Sequence, residues 1–146
     1  MGLLDFVLDA GAKLFGGGGP SPEEKAKILA DTVNKLGLAV ENLNITVADD
    51  VATVSGTTPS QAIREKVLLA VGNTEGIAKV DDKIDVVKPE PEAQYYTVKS
   101  GDSLSKIAKE YYGDAMKYPV IFEANKPMLE NPDLIYPGQV LRIPPQ

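Results

Sequence analysis

Residues 71–77 read Val-Gly-Asn-Thr-Glu-Gly-Ile and separate a pattern typical of an amphipathic helix from one typical of a strand. Two glycines four residues apart permit positive φ, so the backbone can turn tightly here and direct several carbonyl groups inward. The bend is therefore a candidate ion-binding site. A helix C-cap followed by a turn without any ligand explains the same residues, and both interpretations stay open on this evidence.

The composition excludes several classes of function. The chain has 146 residues and a net charge of −6, and it contains neither cysteine nor histidine. Disulfides, thiolate or histidine catalysis and the usual zinc sites are thereby excluded, so any metal site must be built from oxygen atoms. The acidic surplus lies mostly in residues 1–90, which argues against nucleic acid because phosphate binding needs clustered Lys and Arg. We expect a binding protein that is not an enzyme.

The N-terminal segment determines the expected location of the chain. It lacks the basic start of a secretory signal, and no apolar run reaches the ~20 residues that span a bilayer. We therefore expect a cytoplasmic monomer that has no contact with a membrane. Because a short helix is marginal alone, the helix expected here should dock onto the chain rather than lie on a membrane surface. That helix covers residues 2–15, with apolar side chains at spacings of three and four: Leu3, Phe6, Val7, Ala10 and Leu14.

Residues 21–87 predict the order helix, strand, strand, helix, strand. Ser21 and Glu24 have the spacing of a capping box, which marks a helix start. Asp81, Asp82 and Asp85 fall on the last strand, and we interpret them as solvated charges rather than a catalytic pair. The elements are a helix over residues 21–36, a hairpin over 43–56, a helix from 58–61 to the bend, and a strand over 80–86.

A second unit follows a linker at residues 88–94, where proline alternates with charge. It predicts a strand at residues 95–99, a helix at 103–112 capped by Asp102, a helix at 118–124, and a strand at 140–143. The expected fold is thus α+β in two small domains. They are residues 1–87 with the order α-β-β-α-β after an extra N-terminal helix, and residues 95–146 with the order β-α-α-β.

The first unit resembles the BON domain family. The resemblance rests on Gly-Ile-Ala-Lys-Val-Asp-Asp at residues 76–82, where the last strand begins, and on Val-Ser-Gly at residues 54–56, where the hairpin ends. It covers residues 21–87. What it implies is a small layered domain with the helices on one face of a sheet.

The second unit resembles the LysM domain family. Residues 96–108, Tyr-Thr-Val-Lys-Ser-Gly-Asp-Ser-Leu-Ser-Lys-Ile-Ala, and residues 135–144, Ile-Tyr-Pro-Gly-Gln-Val-Leu-Arg-Ile-Pro, carry this likeness. It implies binding of N-acetylglucosamine polymers such as peptidoglycan. The segment over residues 111–132 is longer than in compact glycan-binding members, so a protein-interaction role for this unit is a further alternative. The glycan-binding positions that the resemblance implies are Gly101, Asp102, Ser103, Leu104, Asn125, Pro127 and Ile135.

A BON domain followed by a LysM domain in a small acidic chain is similar to a family of bacterial cytoplasmic potassium-binding proteins, which implies K⁺ as the ligand. K⁺ suits a cage of about six neutral carbonyl oxygens, whereas carboxylates favour Ca²⁺ or Mg²⁺. The last carbonyls of a helix lack intrahelical partners and carry the negative end of its dipole. We expect two helix ends to meet at the bend, and ion binding there to change the conformation. The expected ligands are the backbone carbonyls of Val7, Ala10, Gly72, Thr74 and Ile77.

Overall fold

The computed structural model of the protein describes residues 3–15 and 19–145. Expectations for residues 1, 2, 16–18 and 146 lie outside this part of the chain. The first unit consists of β1 Leu3–Asp5, α1 Pro22–Lys35, β2 Glu41–Ala48, β3 Val51–Ser60, α2 Gln61–Gly72 and β4 Lys79–Lys88. The second consists of β5 Gln94–Thr97, α3 Leu104–Tyr112, a 3-10 turn Ala115–Lys117, α4 Tyr118–Ala124 and β6 Val140–Ile143. Two small α+β units are confirmed, and from residue 21 onward the helices and strands follow in the predicted order.

The first unit is a four-stranded sheet with strand order β1-β4-β3-β2 and two helices on one face. β2 and β3 form the predicted antiparallel hairpin around Asp49 and Asp50, and α2 connects β3 to the parallel strand β4. Alternate residues of the strands point toward the helices and are buried, which is the period of two expected for a sheet covered on one side. The core between sheet and helices includes Leu29, Val33, Ile45, Val47, Ala52, Val54, Val67, Leu68, Val80 and Ile84.

Local capping signals fix where the two helices of this unit begin. The Ser21 hydroxyl accepts from the Glu24 amide at 3.2 Å, and the Glu24 carboxylate accepts from the Ser21 amide at 3.1 Å. This is the predicted capping box, and it supplies partners for two amides at the helix N-terminus. In the same way the Ser60 hydroxyl accepts from the Ile63 amide at 3.3 Å at the start of α2.

The predicted N-terminal helix is wrong. Leu3–Asp5 instead pairs antiparallel with Lys79–Asp81, as an edge strand of the sheet, and the residues that follow run over the bend without helical structure. Strand pairing gives the segment backbone hydrogen bonds that water would otherwise have to provide. A short isolated helix, by contrast, is marginal in water. Gly11, at φ +96°, is also incompatible with a continuous helix.

Asp82 also differs from its interpretation as a solvated charge. Alternation places Asp82 on the face opposite Asp81, as expected, but that face is the one covered by α2, so Asp82 is buried. Its carboxylate accepts a 2.9 Å hydrogen bond from Nε of Arg64 on that helix. It also accepts from the amide of Ile84 at 3.0 Å. A buried carboxylate needs such partners because desolvation without them is costly.

The second unit places α3 and α4 against the antiparallel pair β5 and β6. Its core is formed by Val98, Leu104, Ile107, Ala108, Ile121, Leu129, Leu141 and Ile143. The N-cap of α3 is Ser103, whose hydroxyl accepts from the Lys106 amide at 3.2 Å, and not Asp102 as predicted. Asp102 instead accepts from the amide of Lys99 at 2.8 Å and from the Tyr96 hydroxyl. These bonds close the loop that precedes the helix.

The linker between the units is exposed from Lys88 to Glu92 and becomes buried at Ala93. The Ala93 amide donates a 3.0 Å hydrogen bond to Glu65 of α2, so the end of the linker is fixed to the first unit. The domain boundaries at residues 87 and 95 remain predictions, although β4 and β5 end and begin close to them.

Candidate functional site

The bend begins where α2 ends, and its amides bond to the N-terminal segment. A continued helix would have bonded the amides of Glu75 and Gly76 to the carbonyls of Val71 and Gly72. Instead, the Glu75 amide donates to the Ala12 carbonyl at 2.9 Å, and the Gly76 amide donates to the Leu8 carbonyl at 2.8 Å. These bonds divert two donors from the helix end and leave its last carbonyls with the negative end of the dipole.

The N-terminal segment follows the bend closely on its other side. The Phe6 amide donates to the Ala78 carbonyl at 2.8 Å, and the Ala12 amide donates to the Asn73 carbonyl at 3.0 Å. Ala12 and Thr74 form an isolated parallel bridge. The expected docking of residues 2–15 onto the bend is therefore observed for their described part, although the docked segment is a short strand followed by a turn and not a helix.

The two glycines of the bend accommodate two phenylalanine rings. A side chain at Gly72 would lie 2.1 Å from the ring of Phe6, and one at Gly76 would lie 3.3 Å from the ring of Phe15. Only Gly76, at φ +101°, also needs the backbone freedom of glycine. The glycine spacing therefore reflects close packing of the N-terminal segment as much as a turn.

The five carbonyls expected to bind a metal lie on these two adjoining segments. The Val7 carbonyl accepts from the Ala10 amide at 3.2 Å, and the Thr74 carbonyl accepts from the Ile77 amide at 3.0 Å. Each carbonyl oxygen has a second lone pair that remains for a ligand. Within residues 3–15 and 19–145, the carbonyls of Ala10, Gly72 and Ile77 accept no hydrogen bond from the backbone amides of turns and loops. These neutral oxygens have the chemistry expected for an alkali cation, and they are the residues that could hold one.

The second unit contacts both segments of this site, which the sequence does not indicate. An ideal Cβ at Gly138 would lie 2.6 Å from Cβ of Ala10 and 3.4 Å from Cβ of Val7. The Asn73 side chain donates to the Val140 carbonyl at 2.8 Å and accepts from the Val140 amide at 2.9 Å. The carboxamide of Asn73 thus pairs with the free edge of β6 as a neighbouring strand would.

A buried ion pair joins the two units beside this contact. Nε of Arg142 donates to Glu65 at 2.8 Å, and both side chains are almost fully buried. The Glu65 carboxylate also accepts from Gln61 at 2.8 Å, and the Arg142 guanidinium donates to the Ala124 carbonyl at 3.2 Å. Gln61 and Glu65 are four residues apart on α2, so they share a helix face, whereas Arg142 is 77 residues away from Glu65.

The glycan-binding positions implied by the LysM likeness fall into exposed and buried groups. Gly101 is exposed, Asp102 and Ser103 are half-buried, and Pro127 and Ile135 are also half-buried. Leu104 belongs to the core, and Asn125 is 2% exposed. The Asn125 side chain accepts from the Arg142 amide at 2.9 Å and donates to the Arg142 carbonyl at 3.0 Å. A contribution of Asn125 to glycan binding would therefore be indirect, through the position of β6.

The loop before α3 is fixed by a pair of titratable groups. The Tyr96 hydroxyl donates to Asp102, and this hydrogen bond lowers the pKa of Asp102 below its ordinary value. The same bond raises the pKa of Tyr96 to about 12. The loop is therefore in one charge state across neutral pH, with an ionised Asp102 and a neutral Tyr96.

Two classes of feature are missing from the described residues. No cluster of three or more His, Cys, Asp or Glu side chains that could ligate a metal ion occurs in residues 3–15 and 19–145. In the same ranges, no helix has the length and apolar character needed to cross a membrane.

Comparison with known proteins identifies both units. The BON domain matches residues 24–88, and the LysM domain matches residues 96–144. The chain is 52% identical to the potassium binding protein Kbp of Escherichia coli strain CFT073, over 99% of each chain. It is 65% identical over 49 residues to an uncharacterized protein of Deinococcus radiodurans, which covers 34% of this chain and 19% of that protein. An esterase of Mycobacterium tuberculosis is 45% identical over 53 residues, which cover 36% of this chain and 11% of the esterase.

Proposed function

We propose that this chain, which belongs to the family of the potassium binding protein Kbp, binds K⁺ at the bend that follows α2. The ligands are the backbone carbonyls of the two adjoining segments: Val7, Ala10, Gly72, Thr74 and Ile77. The protein acts as a cytoplasmic potassium sensor and not as an enzyme, and it is a monomer.

One observation carries this proposal. The amides of Glu75 and Gly76 bond to the carbonyls of Ala12 and Leu8, and not to the end of α2. These bonds hold the N-terminal segment against the bend and at the same time leave the Gly72 carbonyl without a backbone donor. A group of carbonyl oxygens at the negative end of a helix dipole is a favourable environment for a cation.

Neutral ligands suit K⁺ better than they suit a divalent ion. Ca²⁺ and Mg²⁺ are normally bound through carboxylates, which offset their double charge. K⁺ is weakly hydrated, and a ring of carbonyl oxygens can replace its hydration shell. Because all five ligands are backbone groups, a side-chain substitution would alter binding only by changing the shape of the backbone.

The site also suggests how binding changes the conformation. Its ligands come from two segments that are more than 60 residues apart in the chain, so an ion that contacts both favours the docked N-terminal segment over an undocked one. The docked segment in turn contacts Gly138 of the LysM domain. Ion binding therefore orders the bend, fixes the N-terminal segment and changes how the two domains pack against each other.

Thermal unfolding in matched KCl, NaCl and CaCl₂ tests the proposal. A ligand that binds only the folded state stabilises it by about 2.7 kcal/mol at a hundredfold excess over Kd. For a chain of this size that corresponds to a rise in Tm of roughly 5 to 10 °C. We expect this rise in Tm in KCl and a smaller rise in NaCl. The rise in CaCl₂ should be no larger than the rise in NaCl. Equal Tm values in the three salts would contradict potassium binding.

A second candidate function is binding of a glycan or a protein partner through the LysM domain. The observation that favours it lies in the loop before α3, where Gly101 is exposed and its carbonyl accepts a 3.0 Å hydrogen bond from Lys106. Chitin oligomers should then shift the amide NMR signals of residues 101–104. Unchanged signals in this loop at saturating oligomer would exclude glycan binding there and leave the surface to a protein partner.

A further inference from the structure

We propose that Gly138 of the LysM domain is a positioning residue for the potassium site. Its missing side chain allows the turn from Val7 to Ala10 to close against the end of α2, so the LysM domain determines how tightly the BON domain binds K⁺. This inference rests on the proposed function and adds to it a residue outside the BON domain.

Gly138 has no space for a side chain. It has φ +90°, and its amide donates to the Val98 carbonyl at 2.8 Å. An ideal Cβ at this position would lie 2.6 Å from Cβ of Ala10, a distance at which two carbon atoms overlap. A methyl group on residue 138 would therefore have to displace either the LysM segment or the turn that carries two of the proposed ligands.

The LysM segment at residues 138–140 is fixed from two sides. The Val140 amide and carbonyl both bond to the Asn73 side chain, at 2.9 and 2.8 Å. On the other side, the Gln139 carbonyl accepts from the Val98 amide at 2.8 Å. A retreat of residues 138–140 would break these bonds. The turn at residues 7–10 bonds to the bend through the Leu8 carbonyl, which accepts from the Gly76 amide, and Val7 in it is exposed. We therefore expect this turn to move and residues 138–140 to stay in place.

Displacement of the turn at residues 7–10 also changes the affinity for the ion. The carbonyl carbon and Cβ of Ala10 are both attached to its Cα, so a push on Cβ also moves the proposed ligand. A binding constellation has to be held to within about 0.5 Å of its productive geometry. Displacement of Ala10 and Val7 therefore weakens the ion site, although the substituted residue contributes no ligand.

The test compares K⁺ titrations of the full chain by calorimetry at constant ionic strength. We expect G138A to raise the Kd for K⁺ by about tenfold, the effect of a moderately overpacked contact. The matched control is G113A, because Gly113 also has positive φ, at +76°, but a Cβ there would meet nothing within 4 Å. G113A should bind K⁺ with wild-type affinity even where its Tm is lower.

A second variant separates the contact from general damage to the fold. In the double variant A10G/G138A the overlapping Cβ of residue 10 is removed, so most of the lost affinity should return. The same comparison applies where G138A alone does not fold, because the double variant should then fold and bind.

The outcomes distinguish this inference from the proposed function. If the wild type binds K⁺ and G138A binds it with the same Kd, the role of Gly138 is overturned and the potassium site stays in place. Equal losses in G138A and G113A, or a double variant no better than G138A, would overturn it in the same way. A wild-type chain that does not bind K⁺ would overturn both proposals.

Discussion

The ring of Phe6 occupies the space that a side chain at Gly72 would need. An added Cβ at Gly72 would lie 2.1 to 2.3 Å from three atoms of that ring, and Phe6 is itself almost fully buried. The N-terminal segment crosses the end of α2 at this point, so the last residue of the helix has no space for a side chain. This contact places the segment beside the bend and so determines the geometry of the proposed ion site.

G72A tests this contact through the sign of its effect. In an unobstructed helix, replacing Gly by Ala stabilises the protein by roughly 0.5 to 1 kcal/mol. At Gly72 we expect a loss of about 1 to 3 kcal/mol in the free energy of unfolding, because the methyl group overpacks against Phe6. Urea unfolding of the wild type, G72A, F6A and the double variant measures the coupling. Additive effects of the two substitutions would show that the ring and residue 72 do not meet.

The buried ion pair between Glu65 and Arg142 predicts a larger loss of stability when it is broken than when an exposed pair is broken. R142M leaves the Glu65 carboxylate buried without its charged partner, which should cost about 3 to 5 kcal/mol of unfolding free energy. The control is E123Q, which removes an exposed pair with Lys126 and should cost at most about 1 kcal/mol. Denaturant unfolding and calorimetry each measure the unfolding free energy of the two variants. Equal losses in R142M and E123Q would mean that the pair between the domains contributes no more than an exposed one.

Asn73 predicts a link between the bend and the LysM domain. N73A removes both hydrogen bonds to Val140 and leaves the amide and carbonyl of Val140 without these partners. We expect a loss of about 1 to 3 kcal/mol in unfolding free energy, the cost of unsatisfied polar groups. N131A is the control, since the Asn131 side chain accepts a hydrogen bond from the amide of Asp133 in an exposed loop. Chemical denaturation of both variants should separate them, and a loss in N73A as small as in N131A would refute the link.

Alkaline pH should destabilise the protein through Tyr95. Burial raises the pKa of Tyr95 above its ordinary value of about 10. Because the folded-state pKa is the higher one, the stabilising contribution of the neutral phenol is complete below pH ~10 and is lost as the pH rises through the folded-state value. Y95F cannot ionise, so its unfolding free energy should fall less steeply above pH ~10. Identical pH dependence of Y95F and the wild type would contradict this assignment.

The sequence predicts the element order of both units because the decisive signals are local. The capping box of Ser21 and Glu24 and the hairpin turn at Asp49 and Asp50 act over a few residues, and each appears in the structure as expected. The N-terminal segment fails for the opposite reason. Its apolar spacing fits a helix, but its partners are Gly72 and strand β4, more than 60 residues away.

The partners of buried side chains are also set by residues that are distant in the sequence. Alternation correctly separates Asp82 from Asp81 and Asp85, but it does not tell which face is covered by α2. The partner of Asp82 is Arg64 on that helix. The Gly138 contact and the Asn73 pairing connect the two units in space, and no local pattern in either unit reports them.

The five proposed ligands are all carbonyl groups, so the most direct measurement follows the ¹³C NMR signals of the backbone carbonyls during titration with KCl and, separately, with NaCl. The expected result is a saturable shift in KCl at Val7, Ala10, Gly72, Thr74 and Ile77, with little change at residues 101–104. Signals at the bend that do not move, or that move equally in both salts without saturation, would contradict a potassium site at the end of α2.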